Sequence, residues 1–328
     1  MTTKDIECLT RSETEANIVE GLPFSAYADI PAVNSGAITY GLLSMLHMRS
    51  YMQGEISSGD STARRFGRAA HAKVFEPEQY REQIAVAATC RSTFLSGAKK
   101  GSPCDKPGKF RIESQPDHWY CGQHKPKGSS LSLDYVTAEE DMRISLMADA
   151  LRRHEVGEIL SSRGMSEVSL VWKHRSIWLK GRLDRYVFAS PDPHSREIRS
   201  PIVIDLKKCQ LGKANRWDAE RAIFNYGWHR QAAMYAWGAE KCLGGVRPKF
   251  MWIFVEDSPP YDVFPLQADE ETLTVGLREI RRVLSDWERS VERDIYPGRI
   301  HESQSGGLPV FARSDSVDES LLFGSKNG

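Results

Sequence analysis

Two strand-like runs joined by a polar connector constrain the fold of this chain more than any other feature. The runs cover residues 177–188 and 201–208, and the connector is rich in proline, serine and charged residues. If the turn is centred near residues 194 and 195, the runs form a hairpin whose opposed residues have a constant index sum of 389. This register predicts that Asp184 faces Asp205, with Cβ atoms about 4.5–5.5 Å apart, which is repulsive unless a cation lies between them.

The second run has an aliphatic face and a charged face. Because alternate side chains point to opposite sides of a strand, Ile204 and Leu206 share one side, while Val203, Asp205 and Lys207 share the other. Two opposed carboxylates suit a hard divalent ion such as Mg²⁺, and Lys207 is placed to orient a water or to neutralise charge on a phosphate. The pattern indicates phosphodiester hydrolysis, although an isolated Asp-x-Lys also fits a salt-bridged strand surface.

Periodicity elsewhere predicts helices and further strands around this hairpin. Apolar spacing indicates helices at residues 34–54, 61–75, 138–153, 216–241 and 269–292, the third begun by a capping box from Thr137 to Glu140. Strand-like runs cover residues 166–173, 250–256 and 261–266. These elements predict an α/β or α+β fold, with a central mixed sheet flanked by helices.

Composition limits the classes of protein to which the chain can belong. With 328 residues and 40% hydrophobic content, it can form one large core. Its formal net charge is zero, but residues 60–130 hold 13 Lys/Arg against 7 Asp/Glu, and residues 255–328 hold 8 against 15. The asymmetry indicates a basic entrance for a polyanion or an ordinary solvated surface. No apolar signal segment or membrane span is apparent, so we expect a cytosolic protein.

Several short motifs occur in a characteristic order. They are Gly67-x-x-x-His71, Glu167 in a strand, Lys180-Gly-Arg-Leu-Asp184, Asp205-Leu-Lys207 and Gln231-x-x-x-Tyr235. Together they resemble the PD-(D/E)xK nucleases, and specifically the RecE-type exodeoxyribonuclease VIII branch, which is related to the YqaJ and lambda-exonuclease-like proteins. The resemblance runs from about Tyr27 to Tyr261 and implies a restriction-endonuclease-like core.

The resemblance implies a role for each matching residue. The implied metal ligands are His71, Asp184, Asp205 and the backbone carbonyl of Leu206. Lys207 matches the catalytic lysine, and Glu167 matches an acid close to the metal or its waters. Gln231 and Tyr235 match a helix that borders the active site and touches DNA. The usual residue at the position of Asp205 is glutamate. Aspartate has a shorter side chain, and this branch tolerates the exchange.

The resemblance also implies an activity. Members of this branch are Mg²⁺-dependent (or Mn²⁺-dependent) exonucleases that degrade one strand of duplex DNA from the 5′ end. The remaining 3′ strand serves a RecT-type annealing protein in phage or prophage recombination, and ring-like homo-oligomers are usual. Two alternatives stay open: a catalytically idle DNA-binding or scaffold protein, and a related repair or defence endonuclease.

A cysteine-containing insertion interrupts the predicted nuclease domain. Residues 88–128 are rich in glycine, lysine, proline and serine, and hold Cys90, Cys104, Cys121 and His124. Three thiolates and an imidazole can close a tetrahedral Zn²⁺ site in a segment without its own apolar core. A disordered basic loop and an iron–sulfur cluster are the alternatives. Lysines in the insertion are placed to contact DNA phosphates.

The predicted domain organisation is therefore simple. Residues 1–25 are expected to be a flexible lead, and residues 26–300 a single nuclease domain that contains the insertion. Residues 301–328, rich in serine and glycine, are expected to be a tail.

Overall fold

The computed structural model describes residues 15–56, 61–112, 114–131, 135–191 and 198–298. Within these ranges the helices are α1 (Phe24–Ala28), α2 (Ser35–Leu43), α3 (Met45–Met52), α4 (Thr62–Phe75), α5 (Pro77–Gln83), α6 (Ala138–Arg153), α7 (Val156–Ser161), α8 (Arg216–Asn225), α9 (Trp228–Cys242) and α10 (Glu270–Arg293). The strands are β1 (Ala16–Val19), β2 (Ala85–Ala87), β3 (Phe110–Ile112), β4 (Gln115–Tyr120), β5 (Ser130–Leu131), β6 (Tyr135–Thr137), β7 (Gly164–His174), β8 (Ile177–Val187), β9 (Ser190–Pro191), β10 (Ile198–Arg199), β11 (Ile202–Cys209), β12 (Lys249–Glu256) and β13 (Val263–Gln267). None of the helices in these ranges combines the length and apolar character needed to cross a membrane.

A mixed sheet of six strands organises the described chain, in the order β1-β7-β8-β11-β12-β13. Neighbouring strands are antiparallel except β11 and β12, which run parallel. The predicted central mixed sheet flanked by helices is therefore confirmed. The hairpin register is confirmed as well, because Ile202 pairs with Val187 and Ile204 with Arg185, both with the index sum of 389.

Helices cover both faces of this sheet and form two core layers. On one face, α9 and α10 pack against fully buried rings that include Trp172 and Trp252. On the other face, α4 and α6 pack against Ile204 and Leu206. Val203 belongs to the first layer. The alternation in β11 thus places Asp205 and Lys207 on the side of α9, as the period of two predicts.

Two of the predicted helices are each divided into two. The helix predicted for residues 34–54 breaks at Ser44, whose backbone is extended. The Ser44 side chain accepts a hydrogen bond from a backbone amide in the first turn of α3. The helix predicted for residues 216–241 breaks at Gly227, which has φ +69°, a conformation that glycine adopts at low cost. Both halves of each pair pack on the same core, so the apolar spacing continues across the break.

The amino-terminal segment differs from the predicted flexible lead. Strand β1 pairs with β7 at one edge of the sheet, and Leu22 is buried. Lys180 attaches the following segment to β8. Its Nζ donates to three backbone carbonyls, at 3.0 Å to Tyr27, 2.8 Å to Ala28 and 2.8 Å to Ile30. Burial lowers the pKa of Lys180 to about 8. Residues 1–14 lie outside the described ranges.

The insertion forms a small substructure between β2 and β6. Strands β3, β4 and β5 make a three-stranded sheet, and the preceding loop closes on itself through bridges between Thr89 and Pro107 and between Thr93 and Pro103. These strands and bridges give the described part of residues 88–131 a defined backbone, in contrast to a disordered loop. The predicted tail, residues 301–328, lies outside the described residues.

Candidate active site

Strands β7, β8 and β11 bring three acidic residues into one row across the sheet. In the β7–β8 register, the residues on either side of Glu167 pair with the residues on either side of Asp184. The β8–β11 ladder ends one residue before Asp205, which places Asp205 level with Asp184. The backbone amide of Leu206 donates instead to Asp184 Oδ2, at 2.8 Å. The row lies where regular pairing between β8 and β11 stops.

A histidine from α4 completes a group of metal-donor atoms with two of these carboxylates. His71 Nδ1 lies 3.3 Å from Asp184 Oδ2 and 3.9 Å from Glu167 Oε1. The ligand atoms of these three residues lie within 4.8 Å of one another. On the other side of the ring, His71 Nε2 lies 3.1 Å from the carbonyl oxygen of Leu206. The Leu206 carbonyl lies on the Nε2 side, so the atoms that converge are one imidazole nitrogen and two carboxylates, a donor set whose oxygens suit Mg²⁺ or Mn²⁺.

This group differs from the predicted ligand set. Of the predicted ligands, His71 and Asp184 belong to it, and the Leu206 carbonyl lies beside the other ring nitrogen of His71. Glu167, predicted only to lie near the metal or its waters, is part of the group. Asp205 lies outside it, because its Oδ2 forms an ion pair with Lys207 Nζ at 2.6 Å. The assignment of these residues as metal ligands stays a prediction.

The backbone of Glu167 has an unusual conformation for a residue within a strand. Its φ of +49° lies in the left-handed region, which costs a non-glycine residue on the order of 1 kcal/mol or more. Hydrogen bonds from Arg182 offset this backbone cost. Its Nε donates a hydrogen bond to Glu167 Oε2 at 2.8 Å, and its guanidinium donates another to the Leu22 carbonyl. We did not predict Arg182 as a site residue. The available signal was its position two residues before Asp184, on the same strand face.

Lys207 is held in place by contacts from β11 and α9. Besides the ion pair with Asp205, its Nζ donates to Gln231 Oε1 at 3.1 Å and lies 4.8 Å from the ring centre of Trp228. Gln231 in turn donates to the Tyr235 hydroxyl at 3.2 Å. The predicted i, i+4 pair on α9 therefore borders the lysine. Trp228 was not predicted, because an aromatic residue at a helix start carries no specific signal.

Burial and proximity shift the pKa values of the clustered groups. Burial raises the pKa of Asp205 to about 6, against the opposing effect of Lys207, and the charge of Asp184 adds to the rise. Burial and Asp184 likewise raise the pKa of Glu167 to about 6. Burial lowers the pKa of His71, but the adjacent carboxylates outweigh it and raise the value to about 9. The carboxylates therefore favour the protonated form of His71, and a divalent cation would have to displace that proton to bind the imidazole.

The four predicted ligands of the insertion also lie together. His124 Nδ1 is 3.4 Å from Cys90 Sγ and 3.5 Å from Cys121 Sγ, and Cys104 Sγ is 3.8 Å from Cys121 Sγ. All four ligand atoms lie within 4.8 Å of one another, and the three cysteines are buried. Burial raises the pKa of Cys90, but hydrogen bonds from the Cys121 and Ser92 backbone and from His124 lower it to about 6.

Comparisons with known proteins identify the family. The family described as a PDDEXK-like domain of unknown function, DUF3799, matches residues 42–305. The fold is similar to a crystal structure of a candidate exonuclease from Eubacterium rectale, with a TM-score of 0.54 and 12% identity over 89% of this chain and 97% of that one. No curated protein matches the chain. Because the family match covers most of the chain, including His71 and Lys207, the protein belongs to the PDDEXK-like family DUF3799, within the PD-(D/E)xK superfamily.

Proposed function

We propose that this protein is a Mg²⁺-dependent (or Mn²⁺-dependent) exonuclease that degrades one strand of linear duplex DNA from the 5′ end. The observation that carries the proposal is the position of the Lys207 ammonium. The ammonium is paired with Asp205 at 2.6 Å. On the neighbouring strand, Asp184 lies level with Asp205 and belongs to the donor group with His71 and Glu167. A fixed cation beside a set of metal donors suits the hydrolysis of a phosphodiester.

The chain's own residues position the reacting groups. Asp205, Gln231 and the Trp228 ring hold the Lys207 ammonium in one place, so it can donate a hydrogen bond to an attacking water or to a phosphoryl oxygen. A bound divalent ion polarises the phosphoryl oxygen and lowers the pKa of a coordinated water. Arg182 keeps the Glu167 carboxylate beside His71 by pairing with it.

An idle DNA-binding or scaffold protein is the main alternative, and the buried charges argue against it. Asp205 is 1% exposed, and burial makes its ionised form costly. Glu167 adds a left-handed backbone within a strand. A protein that only binds DNA gains nothing from either cost, whereas a metal-dependent hydrolase uses both groups.

Digestion of linear and closed circular duplex DNA tests this function directly. With Mg²⁺ we expect the linear duplex to be degraded and the closed circle to stay intact, and a chelator should abolish degradation. Nicking or cutting of the closed circle would favour the repair or defence endonuclease. Degradation that persists in the chelator would contradict the metal-dependent mechanism.

Three further parts of the proposal follow the family resemblance. They are the 5′-to-3′ direction, a ring-like homo-oligomer, and transfer of the 3′ strand to a RecT-type annealing protein during phage or prophage recombination in the bacterial cytosol. Substrates labelled at one 5′ or one 3′ end distinguish the direction, since the 5′ label should be released first. Light scattering of the purified protein measures the oligomer, and a mass equal to one chain would contradict the ring.

An exposed tyrosine next to the lysine is expected to bind the substrate strand. Tyr226 is 68% exposed, and its ring lies 5.1 Å from that of Trp228, on which Lys207 rests. Stacking on a base contributes about 1–3 kcal/mol. We therefore expect Tyr226→Ala to raise KM for DNA about tenfold with little change in kcat, whereas Tyr226→Phe keeps the ring and the wild-type KM. Equal KM values for all three proteins would contradict this role.

A further inference from the structure

The insertion contains a second group of metal donors, separate from the carboxylate site. Tetrahedral Zn²⁺ with sulfur at about 2.3 Å and nitrogen at about 2.0–2.1 Å requires ligand separations of about 3.8 Å between two sulfurs and about 3.6 Å between sulfur and nitrogen. The observed separations are 3.8 Å from Cys104 to Cys121, and 3.4 Å and 3.5 Å from His124 to Cys90 and Cys121. The donor atoms thus already have nearly the edges of a zinc tetrahedron.

Other uses of these cysteines fit the geometry less well. A disulfide requires sulfurs about 2.0 Å apart, whereas Cys104 and Cys121 are 3.8 Å apart and both are free thiols. An iron–sulfur cluster places several irons and inorganic sulfides between its ligands, but here all four ligand atoms lie within 4.8 Å of one another. That space suits a single ion. Three thiolates and an imidazole favour Zn²⁺ over Mg²⁺.

The insertion has little apolar core that could hold this arrangement without a metal. The buried cluster around the ligands consists of the three cysteines, with Phe94 packed against it. The Phe94 ring also contacts the His124 ring, with 5.5 Å between their centres. A segment that buries thiols in place of aliphatic side chains depends on metal binding for its stability.

A chain of contacts connects this cluster to the helix that carries His71. The backbone carbonyl of Trp119, two residues before Cys121, accepts a hydrogen bond from the amide of Arg91, which follows Cys90. The Trp119 ring packs on the Tyr135 ring, with 5.7 Å between their centres. Arg65 of α4 lies over the Tyr135 ring at 4.2 Å and donates to its hydroxyl at 2.9 Å.

Arg65 also fixes α4 to the neighbouring helix. Its guanidinium makes two hydrogen bonds to Glu140, at 2.8 and 3.0 Å, and Glu140 belongs to the capping box of α6. Arg65 lies six residues before His71 on α4. A continuous path of contacts thus leads from the cysteine cluster to the helix that carries His71.

We propose that Cys90, Cys104, Cys121 and His124 hold a structural Zn²⁺, and that the zinc-bound insertion positions α4, and with it His71, through Trp119, Tyr135 and Arg65. The proposal does not rest on the proposed nuclease activity. Its tests read metal content and backbone exchange, so they can fail or succeed whether or not the protein cleaves DNA.

Metal analysis of the full chain tests the zinc site. We expect about one zinc per chain in the wild type, retained in Asp184→Asn and in Cys242→Ser, a matched control outside the cluster, and lost in Cys121→Ser. Loss in Asp184→Asn with retention in Cys121→Ser would place the ion at the carboxylate site and overturn the proposal.

Two further measurements keep this test decisive if Cys121→Ser fails to fold. His124→Cys offers four thiolates and is expected to retain zinc. Replacement of the metal in the wild type by Co²⁺ should produce the visible absorption of tetrahedral cobalt–thiolate coordination. Octahedral cobalt, an iron–sulfur spectrum or no bound metal would each overturn the assignment.

Hydrogen exchange tests the link to α4. After zinc removal, we expect exchange about tenfold faster in Thr62–Phe75, as well as in the insertion, with α9 unchanged. Arg65→Ala should retain zinc yet show the same faster exchange in α4, whereas Arg81→Ala, an exposed arginine of α5, should not. Unchanged exchange in α4 after zinc removal, or in Arg65→Ala, would overturn the positioning role.

Discussion

Lys207→Met is expected to lower kcat for DNA hydrolysis by about 10²–10³-fold, the loss typical of removing one donor that stabilises developing charge. Methionine keeps much of the unbranched stem but removes the ammonium that Asp205 and Gln231 hold. KM should change little, because Lys207 is largely buried and we expect exposed residues such as Tyr226 to make the main contacts with DNA. The measurement is the initial rate of linear duplex degradation at saturating DNA and Mg²⁺.

The adjacent lysine provides a matched control for this prediction. Lys208 lies on the opposite side of β11, where its Nζ pairs with Asp257 at 3.2 Å. Lys208→Met removes the same charge one residue away, so we expect kcat to stay within a few-fold of the wild type. If both variants lose activity equally, the loss reflects damage to β11 or to the general charge of the surface, and the role given to Lys207 is wrong.

Gly276→Ala is expected to destabilise the protein by about 1–3 kcal/mol, the usual cost of overpacking a close contact. Gly276 lies on α10 where it meets α9, and an added Cβ would lie 2.4 Å from the backbone carbonyl oxygen of His229 and 2.9 Å from the Ala233 Cβ. Because a backbone atom cannot turn aside as a side chain can, the two helices would have to separate. The denaturant midpoint measures this change.

A second helical glycine provides the control. An alanine Cβ at Gly67 of α4 would meet no atom of the described residues within 4 Å. Replacing a helical glycine by alanine without a steric clash favours the helix, so Gly67→Ala should stabilise the protein by about 0.5–1 kcal/mol. A loss of stability in Gly67→Ala similar to that in Gly276→Ala would mean that the α9–α10 contact is not the cause.

Much of the fold was predictable because it depends on local patterns. The capping box at Thr137 and Glu140 forms as predicted, with both reciprocal hydrogen bonds. The helix predicted from residue 61 begins with Ser61 as its cap and ends before Pro77. The breaks at Ser44 and Gly227 were missed, because the apolar spacing that packs each helix on the core does not record a local change of backbone direction.

The candidate site was predictable in composition but less so in arrangement. The motifs named His71, Glu167 and Asp184, which the structure brings together, but they counted Asp205 rather than Glu167 among the metal ligands. The left-handed backbone of Glu167 has no sequence signature, and the only signal for its partner Arg182 was a position on the same face of β8 as Asp184. The predicted lead of residues 1–25 was wrong for β1, whose pairing with β7 depends on a partner far away in the chain.

The sequence by itself determined the hairpin of β8 and β11. With a turn centred near residues 194 and 195, it also determined the level of Asp205 beside Asp184, in a register that buries the aliphatic face of β11. It also named the four residues of the insertion whose possible ligand atoms the structure brings together. Only the tertiary structure decided that His71, 135 residues before Leu206, reaches the carbonyl of that residue. The reason is physical: α4 reaches this strand end through packing on Ile204 and Leu206 and through Arg65, and such long-range contacts are not encoded by any local period.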